Sequence, residues 1–320
     1  MVTLTQPDPL TVVISGSDAT ICNGQSSPIT VSVTGGTTPY VINGVTQTGA
    51  GPFTLNESPT STTTYDNTNV TVTDAHSCTS AISGSVSITV NPVPALTGAT
   101  QSVSVCTGSA AVINLSGLLA GSTSTISYTI NGAAQTPVTG VVADGSGAAS
   151  FNTPNLSASN NGQILQITGV TVTSATPNCT QSFAQNVTLA VNQLITVGNN
   201  GTETDATCNR TFTGAITLGT ISGGNGTYTI TWSSPGGFEG SGTTITELAA
   251  DSYEYSITDN SCPVVTGTIN VGEPDGLSAT VASTQPSCNG TNDGSITISS
   301  PSGGYGTYEY SIDGGITWQA

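Results

Sequence analysis

The chain has 320 residues, of which 35% are hydrophobic and only 6% are charged, where a typical globular protein has about a quarter of its residues charged. Lys and Arg together number 1 against 18 Asp and Glu, a formal net charge of −17. Nucleic acid and anionic lipid are held by clustered cations, so both are excluded as partners, and no apolar run approaches the ~18 residues that would insert in a bilayer.

In chain order, the first residues already carry a repeat. VTLTQPDPL at Val2–Leu10 lines up with INVGEPDGL at Ile269–Leu277, so residues 1–7 read as the closing strand of a preceding module. Met1 opens no charged n-region and no apolar h-region, so no signal peptide is expected here. A first module is predicted over 8–92: Cys22, alternating ITVSVT, Gly35-Gly36, Tyr40, the turn VTDAHSC ending at Cys78, and a closing run SVSITV. A longer second module, 93–192, opens at Cys106 and carries TVTSATPNC up to Cys179. The third, 193–273, repeats the phrase of the first: Cys208, Gly223-Gly224, Tyr228, YTITW, then ITDNSC up to Cys262. The fourth, 274–320, begins it again with Cys288, Gly303-Gly304 and Tyr308. Self-similarity at a regular spacing defines a tandem array.

Period-2 alternation of Val, Ile, Thr and Tyr, broken by Gly, Asn, Pro and Ser, predicts strands throughout. The fold class expected is all-β: tandem immunoglobulin-like antiparallel β-sandwich modules. With single prolines or an Asn-Gln step as linkers, the modules are expected to form an extended rod. The Leu-rich stretch INLSGLLAG is too short and too rich in Gly and Ser for a helix.

Seven cysteines divide into three pairs and a remainder. Modules this small have thin cores, and exported proteins commonly staple such cores with disulfides. The expected bridges lie within modules: Cys22–Cys78, Cys106–Cys179 and Cys208–Cys262, with Cys288 left unpaired. Both cysteines of a pair are placed near one pole of the sandwich, and each bridge should contribute roughly 4 kcal/mol on the chain-entropy model.

Catalytic chemistry has few candidates. His76 is the single histidine; it shares a turn with Asp74, and a solvated turn residue is the favoured reading over a general base. A Ser-His-Asp set cannot recur once per module on one histidine, and no carboxylate pair is flanked by the aromatics that would hold a sugar. No catalytic residue and no cofactor is assigned. Calcium is the one ion with candidate donors, Asp8, Asp259, Glu273, Asp275 and Asp293, which fall near module ends; no D-x-D-x-D-G loop accompanies them, so solvated carboxylates are favoured. Tyr228, Ile230 and Trp232 alternate onto one core face. Trp318, in SIDGGITW, is placed on a hairpin and is the candidate ligand contact.

CNGTNDGSITISSPSGGYGTYEYSIDGGITWQ from Cys288 and CNRTFTGAITLGTISGGNGTYTITW from Cys208 resemble the SprB-type repeats of giant gliding-motility adhesins of Bacteroidota. The first module, through GG…PY and VTDAHSC, is similar to a diverged relative. The second resembles the longer immunoglobulin-like modules interspersed among such repeats. The resemblance implies type IX secretion, display at the cell surface, and a non-enzymatic part in adhesion and gliding. The partners it implies are other modules of the same long chain, surface polysaccharide or neighbouring filaments. A carbohydrate-binding module array is the alternative.

Overall fold

The computed structural model describes residues 6–320. Strands account for 49% of the chain and helix for 2%, the latter being two single 3-10 turns, Ala158–Asn160 and Gly198–Asn200. The chain is all-β, as its alternation predicts. Of the closing strand expected over 1–7, residues 1–5 lie outside the described residues; Gln6 and Pro7 are not in a strand, and the first strand among the described residues is Thr11–Ser15.

Among the described residues the strands pair within four stretches, 11–91, 98–192, 196–271 and 278–302. In the first, Ser27–Thr34 lies antiparallel between Thr11–Ser15 and Phe53–Glu57. Its alternation turns Ile29, Val31 and Val33 inward. Ile21, Tyr65, Val86 and Ile88, on the sheet of Ala19–Cys22, Val86–Asn91 and Thr63–Tyr65, share that core. Two half-apolar sheets facing each other across one core make a sandwich.

The second stretch repeats the plan with longer strands. Thr123–Ile130, Ile164–Val172 and Cys179–Thr188 form its larger sheet, and Tyr128 meets Phe151 of the opposite sheet with ring centroids 5.1 Å apart. In the third, Thr229–Ser233 sits between Glu239–Ser241 and Asp251–Thr258. Ile230 and Trp232 are buried and Tyr228 packs against the same core. In the fourth, Ser278–Thr284 pairs with Ser295–Ser302 and leaves Val281 and Ile296 exposed. Ile216 holds the place of Ile296 in the third stretch and is fully buried in that stretch's core, with Thr244–Leu248 paired beside its own strand.

Not every pair is antiparallel. The closing strand Val86–Asn91 runs parallel to Ala19–Cys22, with Asn91 opposite Cys22. Val191–Asn192 runs parallel to Val105–Cys106, with Asn192 opposite Cys106. The chain therefore leaves each of these stretches beside its first cysteine.

Two compact units are present. One comprises the described residues up to Val103 with Ala111–Thr153 and Gly162–Leu189; the other comprises Ser104–Ala110, Pro154–Asn161 and Ala190–Ala320.

Candidate functional site

The repeated phrase builds a joint rather than a cleft. Its glycine pair receives the incoming chain: the Gly36 N–H donates to the Asp8 carbonyl at 2.9 Å, Gly224 to Gln193 at 2.8 Å and Gly304 to Asp275 at 2.8 Å. At Gly223 the backbone has φ +84°, and a Cβ would stand 2.0 Å from the Leu194 carbonyl oxygen. Only glycine allows that approach, and Gly35 and Gly303 occupy the same place against Pro9 and Gly276. The tyrosine five residues on closes the loop, its hydroxyl donating to the first glycine's carbonyl: Tyr40 to Gly35 at 2.7 Å, Tyr228 to Gly223 at 2.6 Å and Tyr308 to Gly303 at 2.9 Å.

The Thr-Asp turn locks onto this loop through its carboxylate. Asp259 accepts the N–H groups of Cys262 at 2.6 Å and Ser261 at 3.0 Å on Oδ1, and that of Asn225 at 2.6 Å on Oδ2. Asp74 does the same with Cys78 at 2.8 Å, His76 at 2.9 Å and Thr37 at 3.0 Å. The N–H of Cys78, joined by those of Thr37 and His76, holds the Asp74 carboxyl below the ordinary aspartate value against the effect of burial. Burial works to raise Asp259, and the N–H donors of Cys262, Ser261 and Asn225 more than offset it, so this carboxyl too is held low. What Asp74 takes from His76 is its backbone N–H; the pairing is structural.

The second cysteine of each phrase thus stands at the end where the chain enters, and the first stands where it leaves. This corrects the placement of both at one pole. The bridges follow from it: Cys22 is bonded to Cys179, with Cα atoms 5.7 Å apart, and Cys106 to Cys262, at 5.4 Å. Neither Cys22–Cys78, Cys106–Cys179 nor Cys208–Cys262 forms; Cys78, Cys208 and Cys288 are free and exposed. The physical reason is the parallel closing strand, which carries the exit beside the first cysteine and so brings it to the entry turn of the next stretch. Asn91 and Asn192 seal these contacts. The Asn91 side chain donates to the Thr176 carbonyl at 3.2 Å and the Asn192 side chain to the Ser261 hydroxyl at 3.5 Å. Their signal in the sequence is the shared Val-Asn that ends both closing strands.

The carboxylates considered for calcium do not converge; among the described residues no group of three or more His, Cys, Asp or Glu is placed to hold a metal. Asp259 is spent on backbone N–H groups. Glu273 accepts from the Asn209 side chain and the Arg210 N–H. Asp293 caps its own loop, with Ser287 and Thr291 holding its carboxyl well below the usual range. Asp8 and Asp275 are exposed and serve the joint through their carbonyls. Trp318 is 61% exposed, within a hairpin closed by mutual backbone bonds of Tyr310 and Gln319 at 2.8 and 2.9 Å.

Comparison with known proteins agrees with the repeat reading. The SprB repeat model matches residues 200–237 and 280–317. No curated protein matches the chain. Solved structures similar to it include a three-immunoglobulin fragment of titin (12% identity, 85% of this chain and 99% of that one, TM-score 0.36). A two-domain DIP-gamma fragment, IG1+IG2, is also similar (15% identity, 57% and 98%, TM-score 0.33). So is the C-terminal fragment of intimin, solved with the intimin-binding domain of its translocated receptor (15% identity, 58% and 65%, TM-score 0.30). The two matched stretches each begin ahead of a cysteine turn and take in its glycine pair and tyrosine, and over these residues the chain is similar to the SprB repeat.

Proposed function

We propose that the chain is a non-catalytic, load-bearing segment of an extracellular repeat adhesin, which holds a binding region away from the cell and serves attachment and gliding. The SprB-type repeats, the immunoglobulin-like sandwiches and the two disulfides fit an extracellular repeat segment. The observation that carries the load-bearing reading is the direction of the bridges, each joining a cysteine of one strand stretch to a cysteine of the next. A protein that only needed stable sandwiches would gain roughly 4 kcal/mol from each bridge inside them, most of what the longer loops give; bridges across the joint also resist separation of neighbours.

The test is made on cells of the source organism. Antibody against this chain should label intact cells, and in-frame removal of these residues should reduce attachment and gliding speed on glass. Labelling seen only after lysis, or unchanged attachment and gliding, would sink the reading. If instead the chain binds a polysaccharide on a glycan array and loses that binding in Trp318→Ala, the carbohydrate-binding alternative replaces it.

A further inference from the structure

The three free cysteines are not leftovers. Four cysteines share one local structure, a turn in which the cysteine carbonyl accepts the N–H three residues on: Cys22 from Gln25 at 2.9 Å, Cys106 from Ser109 at 3.0 Å, Cys208 from Thr211 at 3.3 Å and Cys288 from Thr291 at 3.2 Å. The other kind lies at an entry turn. Cys78 and Cys262 each donate their N–H to the aspartate of the Thr-Asp pair, at 2.8 and 2.6 Å, and Cys179 holds the equivalent place in the second stretch. Both bridges join one cysteine of each kind, the exit-turn cysteine of one stretch to the entry-turn cysteine of the next. The free thiols are one entry-turn cysteine, in the first stretch, and two exit-turn cysteines, in the third and fourth.

A second observation places the missing partner of Cys208. In the third stretch Asn225, directly after the glycine pair, donates its N–H to Asp259, three residues ahead of Cys262. Tyr305 holds the place of Asn225 in the fourth stretch, and its hydroxyl donates to the Ala206 carbonyl at 3.2 Å, two residues ahead of Cys208. The next linker passes there too: a Cβ on Gly276 would stand 3.2 Å from Asn209 Oδ1. The entry end of the fourth stretch is thus seated on the Cys208 turn, as the entry end of the third is seated on the Cys106 turn.

We propose that Cys78, Cys208 and Cys288 are half-bridges of a staggered disulfide ladder that continues into flanking modules of the same chain. Cys208 takes the entry-turn cysteine of the fourth module, at the Cys208-to-Cys262 spacing beyond Cys288. Cys288 takes that of a fifth module, and Cys78 takes the exit-turn cysteine of a module ahead of the first. Each rung forms by exchange with a protein or small-molecule disulfide: two cysteine S–H bonds are lost and one S–S bond is made. The two electrons and two protons pass to the oxidant, which leaves as two thiols. The ladder stands on cysteine geometry and does not depend on any part in adhesion.

Two measurements test it. In the 320-residue chain, Cys22→Ser should expose one new thiol to alkylation without reduction, that of Cys179, while Cys78 labels as before; new labelling of Cys78 with Cys179 still blocked would overturn the register. In the native protein isolated from its source and alkylated without reduction, peptide mapping should find Cys78, Cys208 and Cys288 each joined to a cysteine outside residues 1–320. The partner of Cys208 should follow a turn aspartate by three or four residues, as Cys262 and Cys78 do. Recovery of these three as free thiols, bonded to one another, or bonded within their own stretch would overturn the ladder.

Discussion

At the scale of single residues, the joint rests on carboxylates that accept backbone N–H groups, and this makes it sensitive to acid. Asp74 and Asp259 both have carboxyls held below the ordinary value. A carboxyl depressed in the folded state contributes stability that is present above its unfolded pKa, here 3.8, and lost as pH falls through the lower folded value. The thermal unfolding midpoint should therefore be flat with pH above about 5 and should fall progressively below about 4. Asp259→Asn should be less stable at neutral pH and show a shallower acid limb, because its amide cannot gain a proton there. An acid limb as steep in the double variant Asp74→Asn, Asp259→Asn as in the parent would assign the acid sensitivity elsewhere. The glycine pair, the tyrosine and the Thr-Asp step were all legible in the sequence as a recurring phrase. Their purpose was not, since spacing shows that residues belong together but not that the Tyr228 hydroxyl returns to Gly223 or that Asp259 reaches Asn225.

At the scale of strands, alternation in ITVSVT and YTITW identified buried faces that the structure keeps, with Ile29, Ile230 and Trp232 in cores. Direction was the part that alternation could not reveal. A strand with period-2 burial looks the same whether its neighbour runs with it or against it, and the parallel pairing of Val86–Asn91 with Ala19–Cys22 is what moves Cys22 to the exit. The error in cysteine pairing follows from that single unknown. Proteolysis separates the two schemes. Arg210, the lone Lys or Arg of the chain, is exposed and lies between Cys106 and Cys262 in sequence, so trypsin should cut the chain once and the Cys106–Cys262 bridge should keep both products together until reduced. Cys106→Ser should release two fragments without reduction, whereas Cys208→Ser should not. The reverse outcome would restore the bridge within the third module.

At the scale of the whole molecule, the two disulfides overlap along the chain, and overlap has a mechanical consequence that nested or separate loops lack. Pulling on the two ends can pass from Cys22 across its bridge to Cys179, back along 179–106 and across the second bridge to Cys262, a path of about 73 residues; the routes along 179–262 or along 22–106 use one bridge each and are about ten residues longer. The path through both bridges fixes the limit of extension, and either single-bridge route exceeds it by only about 35 Å. Each bridge spans a separation of 157 or 156 residues, worth about 550 Å of extended chain at ~3.5 Å per residue. In single-molecule stretching of the fully unfolded chain, Cys22→Ser or Cys106→Ser alone should lengthen the final extension by only about 35 Å. The double variant, or reduction of the parent, should add about 580 Å at once. Bridges confined to modules would behave otherwise, each loss adding the length of its own loop, and an additive series of that kind would contradict the overlap. A chain held in this way lengthens little when any one bridge is broken, because the remaining bridge still offers a path only about ten residues longer.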